Sequence, residues 1–83
     1  MQAERFIIRG DLAAPTFLPW VARHLGRLGL TGRARRETSA CVELLVEGPP
    51  DLIDAMELGV SLGPIEAWVE SIERIRLNTL PDA

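Results

Sequence analysis

Apolar positions alternate from Glu4 to Arg9, with Phe6 and Ile8 on one side and Arg5, Ile7 and Arg9 on the other. That pattern predicts a strand over residues 4–9. Gly10 to Thr16, with its glycine and proline, predicts a loop. From Phe17 the period lengthens. Phe17, Val21, Leu25 and Leu28 fall on one helical stripe, Pro19 is tolerated in the first turn, and Gly29 is placed to stop the helix. Arg23 and Arg27, four apart, then share the outer face. A second strand is expected from about Arg33 to Glu37, followed by a turn at Thr38-Ser39-Ala40. Val42, Leu44 and Val46 next alternate with Glu43, Leu45 and Glu47, the mark of a strand with one dry and one mostly wet face. On this spacing Leu45 points outward. Gly48-Pro49-Pro50 breaks the strand, and Asp51 caps or opens a second helix. Its stripe is Ile53, Met56 and Val60, with Leu52 flanking. Gly59 weakens that helix by roughly 1 kcal/mol relative to alanine. Gly63-Pro64 ends the unit, and residues Val69 to Leu77 predict a last strand. There Ile75 and Leu77 share a parity that Ile72 does not, which suggests a bulge. Residues 78–83 carry no pattern and are expected to be poorly ordered.

The order is βαββαβ. Two helices with one apolar stripe each must cover one face of a four-stranded antiparallel sheet, an α+β sandwich of the ferredoxin-like type. A length of 83 residues allows one domain, spanning 1–83, that buries about 60% or slightly more of its unfolded surface.

Charge adds an asymmetry. The net charge of −3 divides into seven arginines against two carboxylates over residues 1–36 (+5) and two arginines against ten carboxylates over 37–83 (−8). Every cation is arginine. Two readings stand: a compositional habit of a GC-rich genome, or guanidinium groups kept for a phosphate or carboxylate, which the planar fork suits. Opposite-signed halves also allow head-to-tail self-association, with plain solvation of both surfaces as the default reading.

Candidate chemistry is sparse. His24 has no second histidine or cysteine near it, so no metal site is expected. The single Cys41 cannot form an internal disulfide, and Ser39, Ser61 and Ser71 lack an activating partner. No cofactor is implied. The chain does not begin like a secretory leader and has no apolar run approaching the ~18 residues of a membrane span, so a soluble, cytoplasmic protein without membrane contact is expected. RNA-recognition domains share the βαββαβ order, but the third strand here has no aromatic residue and the net charge is negative; nucleic acid binding is not expected. Leu45, Leu58, Leu62 and Trp68 are apolar at outward positions. They are either ordinary surface scatter or a patch for a protein partner or a second copy of the chain.

The chain resembles the acylphosphatase family over nearly its whole length. The family's first signature, V-Q-G-V-x-F-R, is filled by Leu12-Ala13-Ala14-Pro15-Thr16-Phe17-Leu18, and Pro19-Trp20 continues as in many bacterial members. The second, G-L-x-G-x-V-x-N, is filled by Gly29-Leu30-Thr31-Gly32-Arg33-Ala34-Arg35-Arg36. Val42 to Pro50 is similar to the family's third strand and its exit. The resemblance implies metal-free hydrolysis of acyl phosphates. Backbone N–H groups of the first loop would cradle the phosphate, the arginine ending the first signature would grip it, and the asparagine ending the second would orient the attacking water.

Those parts are replaced here. Leu18 stands at the arginine's place and Arg36 at the asparagine's; Ala14 stands at the signature's glycine, Thr16 at its variable place, where the resemblance implies a second glycine of the cradle, and Pro15 removes an N–H. Losing one preorganised donor costs about 10²–10³ in rate, so the combined loss should leave little activity. The expectation is a catalytically silent, acylphosphatase-like binding or interaction module. Two alternatives stay open: a hydrolase with a site rearranged around Arg36, or a phosphate or carboxylate sensor without turnover. Arg36, Ala14, Thr16 and Phe17 are the candidate anion-binding residues, with an ordinary solvated role for Arg36 as the competing reading. Arg33 and Arg35 alternate away from Arg36 and cannot enter one pocket with it.

Overall fold

The computed structural model describes residues 1–81. The elements run β1 (Gln2–Asp11), α1 (Phe17–Leu28), β2 (Thr31–Thr38), β3 (Cys41–Gly48), α2 (Pro50–Leu62) and β4 (Trp68–Leu77). The strands form one antiparallel sheet in the order β2-β3-β1-β4. The two helices lie across one face, so the ferredoxin-like arrangement expected from the periodicity is the one observed.

The core follows from the stripes. Phe17, Val21 and Leu25 of α1 and Ile53, Met56 and Val60 of α2 are buried. They meet Phe6 and Ile8 of β1 and Val42, Leu44 and Val46 of β3. Each of these side chains contributes about 1.5–3 kcal/mol of apolar burial. Gly29 ends α1 in the left-handed conformation (φ 69°), and its N–H and that of Leu30 close the helix on Gly26 and Leu25. Pro49 rather than Asp51 occupies the N-cap of α2; Pro50 then takes the first helical position, where its fixed φ suits the helix and no N–H is needed.

Four local features change the expectations or add to them. First, the strand expected over residues 4–9 continues through Gly10 and Asp11. Its register against β4 shifts between Arg9 and Gly10, so Gly10 faces Val69, Arg9 faces Ser71, and Glu70 is the extra residue. A Cβ on Gly10 would lie 2.0 Å from the Trp68 carbonyl oxygen, so only glycine lets the two backbones approach this closely. The bulge is therefore at Glu70 and does not explain the parity of Ile72, Ile75 and Leu77. Ile72 lies opposite Ile8 and faces the helices; Ile75 and Leu77 lie opposite Arg5 and Ala3 on the other face.

Second, Leu45 points to the open face as its spacing requires but is buried (5% exposed). Its cross-strand neighbours are Arg5 and Arg33, whose aliphatic stems flank it. Third, the chain beyond β4 turns back over this face: Arg33 Nη2 donates to the Pro81 carbonyl at 3.0 Å. Pro81 of the tail expected to be poorly ordered makes this contact, and residues 82 and 83 lie outside the described residues. Fourth, Gly59 does more than lower helix propensity. The His24 ring of α1 lies over it, with Nε2 only 1.9 Å from where a Cβ would stand. That ring stacks on Trp20 at 5.4 Å with 8° between planes, and its Nε2 is buried without a hydrogen-bond partner among the described residues.

One polar knot fixes sheet to helix. Arg74 on β4 grips the buried Glu4 of β1 with a bidentate pair at 2.7 Å, and its Nη1 donates to Asp54 (2.9 Å) and Glu57 (2.8 Å) on α2. The guanidinium also lies 5.2 Å from the Phe6 ring centroid. The Arg74 hydrogen bonds hold the Glu4 carboxyl below its ordinary range against the opposing effect of burial, with a further contribution from Gln2; Arg74 is pushed up in turn.

Candidate functional site

The loop between β1 and α1 is held at both ends. Leu12 is fully buried in the core, and the N–H groups of Gly10 and Leu12 donate to the Ala40 and Ser39 carbonyls of the β2–β3 turn. Phe17 anchors the far end, also fully buried. Between them the chain turns at Pro15-Thr16: the Phe17 N–H donates to the Ala14 carbonyl at 3.1 Å, and Thr16 enters α1 at φ −80°, ψ −12°. No residue other than glycine has positive φ among the described residues, so Ala14 and Thr16 keep ordinary backbone conformations. The alternation of right- and left-handed residues that makes successive N–H groups converge on an anion is absent from this loop.

Arg36 is brought directly to it. On β2 it lies opposite Val42, hence on the helix-covered face, and it is half-buried. Its Nη1 donates to the Leu12 carbonyl and its Nη2 to the Ala14 carbonyl at 3.4 Å. The guanidinium therefore braces the loop by its oxygens. Arg33 and Arg35, opposite Leu45 and Glu43, point to the other face, as the strand alternation requires.

The four candidate residues are thus neighbours, but in unequal condition. Ala14 meets Arg36 through its carbonyl, Phe17 has its N–H engaged within the turn, and Thr16 is exposed at the helix start without a side-chain cap bond. Leu18, at the end of the first signature, is partly buried and packs against the core. No group of three or more His, Cys, Asp or Glu side chains that could hold a metal occurs among the described residues, and no described helix is long and apolar enough to cross a membrane. Sequence reasoning did not find the Arg74 knot, because Glu4 and Arg74 become neighbours only when the β1–β4 register is known.

A βαββαβ sandwich with a tethered loop leading into α1 and a β2 side chain reaching that loop is the arrangement that the resemblance to acylphosphatases implies. The comparisons agree. No family model matches the chain, but the acylphosphatase of Alkalilimnicola ehrlichii is 33% identical over 72 residues, covering 87% of this chain and 81% of that protein. The acylphosphatase of Vibrio parahaemolyticus is 32% identical over 81 residues, covering 98% and 90%. In fold, the acylphosphatase crystal structure from Bacillus subtilis superposes with a TM-score of 0.89 at 24% identity over 96% of this chain and 89% of that one. The chain belongs to the acylphosphatase family.

Proposed function

We propose that this chain is an acylphosphatase-fold binding or interaction module that has lost acyl-phosphate hydrolysis. The observation that carries the reading is the use of Arg36. The residue at the place of the water-orienting amide spends its guanidinium on the Leu12 and Ala14 carbonyls. Leu18 offers no charge where the family resemblance calls for the phosphate-gripping arginine. Transition-state charge on a transferring phosphoryl group would then lack both its bidentate donor and a converging N–H cradle.

The test is hydrolysis of benzoyl phosphate. The expected outcome is no acceleration over the spontaneous rate. Combined Leu18→Arg, Arg36→Asn, Ala14→Gly and Thr16→Gly substitutions are expected to restore measurable turnover. Turnover by the unmodified chain at the level of the family's ordinary members overturns the reading.

One observation favours a second reading. Arg36 sits beside the N-terminus of α1, and a guanidinium has five N–H donors, of which the two carbonyls engage only part. A rearranged hydrolase site, or a phosphate sensor without turnover, would use the remainder. In that case inorganic phosphate shifts the amide resonances of Ala14 to Leu18, and Arg36→Ala abolishes the shifts.

A further inference from the structure

The sheet face opposite the helices carries a hollow of about 490 Å³, lined by Arg5 of β1, Arg33 and Arg35 of β2, Glu43 and Leu45 of β3, and Pro81 of the returning tail. We propose that this hollow is a binding site for a small organic anion, with its carboxylate or phosphate on the arginines and its apolar part against Leu45 and Pro81. It is separate from the loop before α1, and the inference does not depend on the function proposed for that loop.

Register creates the cluster. Arg5 and Arg33 both lie directly opposite Leu45, one on each side, and Arg35 lies opposite Glu43. Three guanidinium groups from two strands thus converge around one buried leucine.

Their charges are incompletely matched. Glu43 is shared, with its Oε2 3.0 Å from Arg5 Nε and its Oε1 3.7 Å from Arg35 Nη2. Glu37 takes Arg35 at 2.7 Å on the exposed rim. Arg33 has no carboxylate partner among the described residues and donates instead to the neutral Pro81 carbonyl. Arg5 Nε is buried against Glu43. Three cations therefore face two carboxylates. A bound anion would supply the missing negative charge, and an arginine fork receives carboxylate or phosphate through two parallel N–H bonds. The walls of a concave site raise the local potential above that of an open surface. Leu45, which forms the floor, gives an aromatic or aliphatic group something to cover. Glu43 disfavours an anion that approaches its side, so the charged head is placed nearest Arg33.

The test uses amide-resolved NMR titration of the whole chain with phenyl phosphate and, in a second arm, with benzoate; the two arms distinguish a phosphate from a carboxylate head. Saturable shifts at Arg5, Arg33, Arg35 and Leu45 are expected in at least one arm at millimolar concentration. Arg33→Ala combined with Arg35→Ala should weaken that binding by about tenfold or more, while Arg23→Ala, on the exposed face of α1, leaves it unchanged. Circular dichroism and the amide spectrum of the double variant confirm that it folds. If Arg33→Ala/Arg35→Ala folds and binds as well as the parent, the site is refuted. The same holds if shifts are confined to residues 13–18 and Arg36, or if neither probe shifts any resonance.

Discussion

Gly59 shows how a single position is governed by what stands over it. By helix propensity alone, alanine at this place in α2 would be favoured by about 1 kcal/mol. The His24 ring reverses the sign, because it occupies the space that a Cβ needs and is itself clamped against Trp20. Gly59→Ala is expected to destabilise the chain by roughly 1–3 kcal/mol through overpacking, seen as a lower midpoint in urea unfolding. In a His24→Ala background the same change should be neutral or stabilising, since the obstruction is gone. Spacing along α2 showed the glycine and spacing along α1 showed the histidine. Neither could show that the two meet, because contact between helices depends on how they cross.

Elements were legible where one face is dry. The stripes of α1 and α2 and the alternation in β3 are direct images of burial, so their residues could be listed from the chain alone. β4 was harder. Its apolar residues divide between two faces, Ile72 toward the helices and Ile75 and Leu77 away from them, so the break in period mimics a bulge at the wrong place. The real bulge, at Glu70, leaves no hydropathy signal; its trace is Gly10 on the neighbouring strand. Gly10→Ala is expected to force β1 and β4 apart and cost roughly 2–3 kcal/mol, read from urea unfolding. Amide shifts should be confined to residues 9–11 and 68–71. Leu45 is a similar case. Its outward parity was correct, and its burial depended on arginine stems from two other strands. In the candidate site, the residues that the family resemblance sets against the signature positions could be named from order alone. That Arg36 would bind carbonyls was not visible, because it depends on the backbone path of the loop.

Across the whole molecule, the Glu4–Arg74 knot couples the sheet to α2 and makes stability depend on pH. The Glu4 carboxyl is lowered in the folded chain, chiefly by its hydrogen bonds from Arg74. A lowered folded value means that the contribution is complete above the unfolded carboxyl value of about 4.3 and is lost as pH falls through the folded value. The melting temperature should therefore hold steady near neutrality and fall on acidification below about pH 4. Glu4→Gln should start lower at neutral pH and show a shallower acid limb, the difference between the two curves isolating this group. Arg74→Ala leaves a buried carboxylate without its partner. The expected loss is about 2–3 kcal/mol, short of the ~3–5 kcal/mol of fully buried pairs because the Arg74 side chain is 24% exposed. A calorimetric scan of both variants checks the pair.

The brace that Arg36 forms has a consequence for any path of sequence change. A side chain that supports a loop by its oxygens becomes indispensable to the neighbours that have settled around it. Exchanging Arg36 for asparagine by itself withdraws that support before it delivers anything useful, whereas the same exchange after glycines have been placed at positions 14 and 16 meets a backbone free to settle differently. The order of the four exchanges, and not only their sum, therefore decides whether the loop is ever left without a prop along the way.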